Sequence, residues 1–243
     1  MKTAEPPRWD GARRGAADWL PSRLVRFVLA SASPARRAVL GAAGIDPIVR
    51  VSGVDEDAVT AALGDASPTD LVVALAEAKA AAVCQDVAAE FPDCVVVACD
   101  SMLLMDFGDG PKVVGKPGAV EVARERWKHM AGGTGDLLTG HAVALFRDGE
   151  VVARAKGSAS TTVRFADVTG EELEAYLATE EPLAVAGGFT LDGLGGWFVE
   201  GVDGDPSSVI GISLPLTRKL LAQVGVGVVT LWRDQEGRAG ADG

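Results

Sequence analysis

Cys94-Val95-Val96-Val97-Ala98-Cys99-Asp100-Ser101-Met102-Leu103-Leu104-Met105 is the most continuous apolar run of the chain, and a single acid interrupts it. A run with no polar alternation predicts a strand buried on both faces, placed centrally in its sheet. Asp100 then falls where an idle charge is too costly, so it needs a partner. A metal ion or a phosphate-bound water fits that need, and so does a structural salt bridge.

Outward from this strand, helices and strands alternate. Val25–Ser31 is a short apolar run, read as a second buried strand. Ser33-Pro34 supplies an N-cap and a proline at the first helical position, with Val39, Leu40 and Ala43 as the apolar stripe that follows. Ser67-Pro68 with Asp70 opens a longer helix that runs to about Glu90. Gly118–Met130 carries Val120, Ala123, Trp127 and Met130 on one helical face. Leu137–Phe146 and Val151–Phe165 flank Arg147-Asp148-Gly149-Glu150, an Asp-Gly hairpin signal. Thr169 and Glu172 cap a further helix with Leu173, Tyr176 and Leu177 inward. A helix at about Leu216–Val224 and a strand at Val226–Trp232 complete the pattern. Helices interleaved with strands, plus a long antiparallel hairpin, predict an α/β fold on a mixed, twisted sheet.

Residues 1–23 are rich in Pro, Gly and Arg without periodicity and read as a loose extension; 24–232 is the folded domain, and 233–243 reads as a frayed tail. The 243 residues are 48% apolar and 23% charged, a globular composition, with a net charge of −11. That charge argues against a nucleic-acid polymer as partner, though a small phosphorylated ligand needs only a few placed cations. Cys84, Cys94 and Cys99 lack metal-ligand spacing and read as reduced, buried thiols; His129 and His141 are too few for a multi-histidine metal site. No apolar run is long enough to span a bilayer, and Met1–Pro21 has no apolar h-region. A cytoplasmic location is the expectation.

The informative residues are polar ones at apolar positions. Ser31-Ala-Ser33-Pro34-Ala-Arg36-Arg37 is a strand end entering a helix N-terminus, where free N–H groups, two hydroxyls and two guanidiniums suit phosphate. A plain cap with solvated arginines explains the same residues. Lys79 shares a helical stripe with Val72, Leu75, Ala76 and Val83, so it either snorkels out or reaches a buried anion. Lys116 is fixed between Gly115 and Pro117 at a helix entry, and Glu56 follows Val54-Asp55.

Together these segments resemble the Maf family of nucleoside triphosphate pyrophosphatases over about residues 25–225. Leu29-Ala-Ser31-Ala-Ser33-Pro34-Ala-Arg36-Arg37 is similar to its phosphate-binding signature, Val54-Asp55-Glu56 to its acidic motif, and Leu75-Ala-Glu-Ala-Lys79-Ala80 to its helix lysine. Cys99-Asp100-Ser101, Gly115-Lys116-Pro117, Ala186-Gly187-Gly188-Phe189 and Gly204-Asp205-Pro206 with Gly211 follow in the family's order. The resemblance implies a Maf/ITPase-like fold of two lobes around a nucleotide cleft, often dimeric, that cuts a nucleoside triphosphate between its α- and β-phosphates. It also implies a divalent cation, Mg²⁺ or Mn²⁺. By position, Asp100 would be the general base, Ser31, Ser33, Arg36, Lys79 and Lys116 would hold the triphosphate, and Glu56 with Asp100 would place the metal. The family's association with septum formation leaves a non-catalytic nucleotide-binding regulator as the alternative.

Three departures bear on the base. Ala35 stands where many members have Arg, Asp192 where Gln is frequent, and Gly135 where His is frequent. The branch preferring thymidine and uridine triphosphates uses that Arg and Gln, whereas the branch resembling 7-methyl-guanosine triphosphate hydrolases places an acid at Asp192. An ionised carboxylate only accepts hydrogen bonds, which suits guanine's N1–H and amino group better than the O4 of uracil or thymine. Asp192 as a cap of the Gly193-Leu-Gly195-Gly196 turn is the other reading.

Overall fold

The computed structural model describes residues 25–232. The extension 1–23 and the tail 233–243 expected from composition lie outside the described residues. The chain enters through β1 (Arg26–Leu29), α1 (Pro34–Ala42), β2 (Ile48–Val49), α2 (Glu56–Leu63) and α3 (Pro68–Val87). β3 (Cys94–Asp106), β4 (Pro111–Val114), α4 (Val120–Met130), β5 (Thr134–Arg147) and β6 (Glu150–Phe165) follow. α5 (Gly170–Ala178) leads into three short 3₁₀ turns, Glu181–Ala184, Ala186–Gly188 and Leu194–Phe198. β7 (Val199–Asp203), α6 (Pro206–Ile210), α7 (Leu214–Gln223) and α8 (Val228–Leu231) complete the described chain.

One sheet has the order β2-β1-β3-β5-β6-β7, with β4 paired to the far end of β3. β1 is parallel to β2 and β3, and the remaining pairs are antiparallel. The sheet is therefore mixed, with β3 inside it, as its apolar run predicts.

The two-residue period of β3 divides its side chains between two cores. Val95, Val97 and Cys99 join Phe27, Leu29, Leu40, Leu220 and Leu221, beneath α1 and α7. Cys94, Val96 and Ala98 meet Ala76, Ala80 and Val83 of α3 on the opposite face. Past Asp100 the strand enters a third cluster, in which Leu103 and Met105 join Trp127, Phe165, Tyr176 and Phe189. There Trp127 packs edge-on to Phe165, Tyr176 and Phe198 at 5.8, 5.9 and 6.0 Å. Each such aromatic pair contributes about 0.5–1.5 kcal/mol beyond burial. The third cluster forms the second lobe, and Asp100 stands where β3 passes from one lobe to the other.

Capping follows the sequence pattern. Ser33 accepts from the Arg36 N–H, Ser67 from the Asp70 N–H, and Thr169 with Glu172 forms a full capping box. Each cap is worth about 1 kcal/mol. Asp148 (φ 52°) and Gly149 (φ 82°) both turn left-handed between β5 and β6, as a tight hairpin requires.

The strand expected at Val226–Trp232 does not form. Gly225 (φ 82°) ends α7, the Val226 N–H returns to the Leu221 carbonyl at 2.8 Å, and Val228–Leu231 coils into a single helical turn. Val226 and Leu231 are buried in the first cluster. The segment is apolar because it plugs that core, and a short buried turn and a short buried strand give the same sequence signal. Sequence reading also passed over α2, although Asp55 caps it and Glu56 and Asp57 occupy its first turn, where acids favour the helix dipole. The short strands β2, β4 and β7 were missed as well.

Cys84, Cys94 and Cys99 are free and buried, and burial pushes their thiols up to about 11, 12 and 12. Such protonated thiols are poor nucleophiles and poor metal ligands. Among the described residues no helix is long and apolar enough to cross a membrane.

His141, fully buried on β5, is structural. Its Nδ1 donates to the Thr139 carbonyl at 3.1 Å, and its Nε2 accepts from the Ser213 N–H at 2.9 Å, where Ser213 caps α7. Burial, with a smaller push from the Arg36 charge, lowers the imidazole to about 4. The unfolded chain binds this proton near pH 6.5, so stability is complete above that pH and is lost as pH falls toward 4. By pH 5 the loss from this group should reach about 2 kcal/mol. In urea unfolding at pH 7 and pH 5, His141→Gln should lose less stability between the two pH values than wild type does. Equal losses in both proteins would show that His141 does not carry the effect.

Candidate active site

Where β3 crosses between lobes, successive residues face opposite sides of the sheet. Asp100 shares the face of Val96 and Ala98, toward α3, and Ser101 shares the face of Val97 and Cys99, toward α1. One strand end thus serves two helices.

On the α3 face, Lys79 does not snorkel. Its Nζ lies 2.5 Å from Asp100 Oδ1 and 2.7 Å from Glu56 Oε1. Lys79 and Asp100 are nearly buried, with side chains 11% and 9% exposed, whereas Glu56, at the first turn of α2, is half exposed. The meeting depends on how closely α3 approaches the sheet. Gly140 pairs with Asp100 across β5, and a Cβ at Gly140 would fall 2.1 Å from the Val72 carbonyl oxygen. Backbone therefore rests on backbone at Val72, and Lys79, two turns farther along the same stripe, is brought over the acid.

On the α1 face, Arg36 is held by neutral oxygens. Its Nε donates to the Gly211 carbonyl at 2.8 Å, Nη1 to Ser31 Oγ at 2.9 Å and Nη2 to Ser101 Oγ at 3.3 Å. Gly211 (φ 127°) ends α6 in a conformation closed to other residues, and a Cβ there would stand 3.1 Å from Arg36 Nε. Ser101 continues the contact inward. Thr139 Oγ1 donates to the Ser208 carbonyl at 3.2 Å, so the proton between Ser101 Oγ and Thr139 Oγ1, 3.0 Å apart, comes from Ser101. The direction is fixed from Arg36 through Ser101 and Thr139 to the backbone of α6. No carboxylate pairs with Arg36 among the described residues, so its charge stays available to an anion. Ser31 Oγ accepts from Arg36 and from the Ser33 N–H at 3.2 Å, which leaves its own proton to donate.

The opposite wall comes from the second lobe. Lys116 is exposed at the rim, after a Gly115 carbonyl that accepts from the Gly187 N–H at 3.2 Å and from Arg126 Nη1 at 2.7 Å. Trp127 Nε1 donates to the Gly188 carbonyl at 2.9 Å and ties the Ala186–Phe189 segment to the aromatic core. Between the walls lies a cleft of about 700 Å³. Ser31, Ser33, Arg36, Glu56, Lys79, Asp100, Lys116 and Asp192 all line it.

Other expectations need correction. Arg37 is exposed and outside the cleft lining, because the next helical position rotates it about 100° away from Arg36. Gly135 is buried against Leu103 rather than facing the cleft, so its departure bears on packing and not on a base. Ala35 and Asp192 do face the cleft. Asp192 does not cap its turn, since the Leu194 and Gly195 N–H groups go to Glu181. Ser101, quoted in sequence only as part of the Asp100 motif, and Thr139, Ser208, Arg126 and Glu181 have no role in the sequence reading. The spacing Gly140-His141 beside Thr139, within a strand, was the available signal for the first three, since glycine inside a strand marks a close backbone approach.

Among the described residues no group of three or more His, Cys, Asp or Glu side chains is arranged to hold a metal ion. Glu56 and Asp100 nonetheless converge on one cation, the Lys79 ammonium. Two carboxylates, with phosphate oxygens and water completing the shell, are the usual donors for Mg²⁺. The donor set fits such an ion.

The Maf-like protein family model matches residues 26–224. A curated relative from Saccharopolyspora erythraea, named nucleoside triphosphate pyrophosphatase, is 68% identical over 208 residues, covering 86% of this chain and 97% of its own. Relatives of the same name from Nocardia farcinica and Rhodococcus erythropolis are 63% and 58% identical, covering 85% and 87% of this chain and 96% and 99% of theirs. With that match spanning both lobes and every wall of the cleft, the chain belongs to the Maf family.

Proposed function

We propose that this protein hydrolyses a nucleoside triphosphate to a nucleoside monophosphate and pyrophosphate. The observation that carries the reading is one cleft that sets the Lys79–Asp100–Glu56 group beside an Arg36 guanidinium with no acidic partner among the described residues. The relatives' printed names agree with it.

The triphosphate lies along the α1 entrance, with Ser31 and Ser33 donating hydroxyl protons and Arg36, Lys79 and Lys116 opposing its charge. Water attacks the α-phosphorus, the bond to the bridging oxygen of the β-phosphate breaks, and the water's proton passes to Asp100. Glu56 and Asp100 are the residues that would hold Mg²⁺ or Mn²⁺. When bound, the ion supplies charge neutralisation at the phosphate oxygens. Asp192, free of the turn it sits on, reads the base as an acceptor and favours a purine or modified purine. Reduced thiols suit the cytoplasm. A homodimer follows from the family resemblance alone.

Incubation with Mg²⁺ and mixed triphosphates should yield pyrophosphate and monophosphates. Orthophosphate as the product would instead mark a terminal phosphatase, and bound but uncut nucleotide a non-catalytic regulator. Asp100→Asn should keep nucleotide binding and reduce turnover by about 10²-fold or more; wild-type turnover in the folded variant excludes Asp100 as the base. Across a nucleotide panel, purine triphosphates should be cleaved faster than UTP and dTTP. Equal or faster cleavage of those two pyrimidine nucleotides refutes the purine preference.

A further inference from the structure

Glu181 lies outside the cleft lining, yet four donors converge on its carboxylate. Thr190 Oγ1 donates at 2.5 Å, the Gly195 N–H at 3.1 Å and the Tyr176 hydroxyl at 3.3 Å, all to Oε1. The Leu194 N–H donates to Oε2 at 3.1 Å. Three of these donors belong to the turn 190–195, and that turn carries Asp192 on the cleft wall. Asp192-Gly193-Leu194-Gly195-Gly196 has three glycines in five residues and no cap of its own. Without an anchor it would lose much conformational entropy on adopting one shape.

The anchor is itself seated on two sides. Tyr176 is buried in the aromatic core, edge-on to Trp127 at 5.9 Å. The 3₁₀ turn that Glu181 opens gives its Leu183 carbonyl to the Gly118 N–H at 3.1 Å, two residues after Lys116. One short segment therefore grips the strap of the rim lysine at one end and the turn of Asp192 at the other. Burial by itself raises the Glu181 carboxyl, but hydrogen bonds from Thr190, Leu194, Gly195 and Tyr176 outweigh it and hold the group below the ordinary carboxylate range.

We infer that Glu181 is the positioning residue for base discrimination: it fixes the turn that presents Asp192, at a set distance from the Lys116 end of the phosphate site. It acts through Asp192 and touches no substrate. The inference rests on the reading of Asp192 as the base contact. In Glu181→Gln the side chain keeps its shape, but its amide N–H₂ must face at least the Leu194 N–H, a donor against a donor, and the carboxylate's charge is lost. The turn then loosens, while Asp100, Lys79 and Arg36 are untouched.

The test is equilibrium binding of non-hydrolysable α,β-methylene analogues of GTP, ATP, UTP and CTP, which does not require turnover. The ratio between the tightest and weakest analogue should fall by about tenfold in Glu181→Gln, the scale of one charge-assisted hydrogen bond. Any remaining hydrolysis should show the change in KM rather than kcat. Gly193→Ala reaches the same contact from the other side, because a Cβ there would come within 2.8 Å of Glu181 Oε1, and it should lower the ratio in the same direction. An unchanged ratio in both folded variants, or a wild type that binds all four analogues alike, overturns the inference. If the Glu181 variant shifts the ratio and Asp192→Ala does not, Asp192 does not read the base, and the inference that Glu181 acts through it falls as well. Absence of pyrophosphate release, with the ratios still shifting, counts against the hydrolytic reading alone.

Discussion

The Lys79 ammonium, shared by Asp100 and Glu56 between a helix and the sheet it covers, is the contact on which the cleft depends. A lysine on an apolar helical stripe and an acid inside a buried strand are each costly alone, and each offsets part of the other's penalty. Replacing one partner leaves an uncompensated charge in the interior, so the two positions are bound to each other. Their meeting needs two periods and one close backbone contact to coincide. The helix must return to the same face at 72, 76, 79 and 83, the strand must show its even residues to that helix, and Gly140 must let the backbones touch. A one-residue slip in β3 would send Asp100 toward α1 and Ser101 toward Lys79.

Much of this was legible beforehand because polar residues in apolar patterns stand out. Asp100 interrupts the apolar run of β3, Lys79 interrupts a stripe, and the caps at Ser33, Ser67 and Thr169 are local signals with local causes. What could not be read depends on partners distant in sequence. Arg36 and Arg37 are equivalent as letters, and only the helix's rotation against β3 selects the first. Ser101, Thr139 and Ser208 look like ordinary strand and turn residues until register sets Ser101 beside Thr139. Glu181 reads as a solvated acid after a helix, since its four donors come from elements on either side of it. Val226–Trp232 failed for the opposite reason: a strong local signal for burial carried no information on whether the buried backbone pairs or coils.

The cleft holds its cations in two physically different ways. Lys79 is neutralised by two acids, whereas among the described residues Arg36 is gripped by a carbonyl and two hydroxyls. A guanidinium fixed by neutral acceptors keeps its full charge and loses little entropy when an anion arrives. This explains how a chain of net charge −11 can serve a polyanion. The relevant field is local, and the surrounding acids act as a frame that confines attraction to one entrance.

The geometry also holds the two walls of the cleft from different cores. Arg36, Lys79 and Asp100 belong to the lobe built on β1, β3 and α3, and their positions are set by the first two cores. Asp192 belongs to a glycine-rich turn braced from the third core, with Lys116 at the join. Changes in the turn can therefore reshape that wall of the cleft without moving the acid or the arginine. Departures at Ala35 and Asp192 lie on the cleft lining, while the residues that would face the phosphates keep the family pattern. A fold that anchors Asp100 and Arg36 from one pair of cores and Asp192 from a third core is free to vary the second anchorage at little cost to the first.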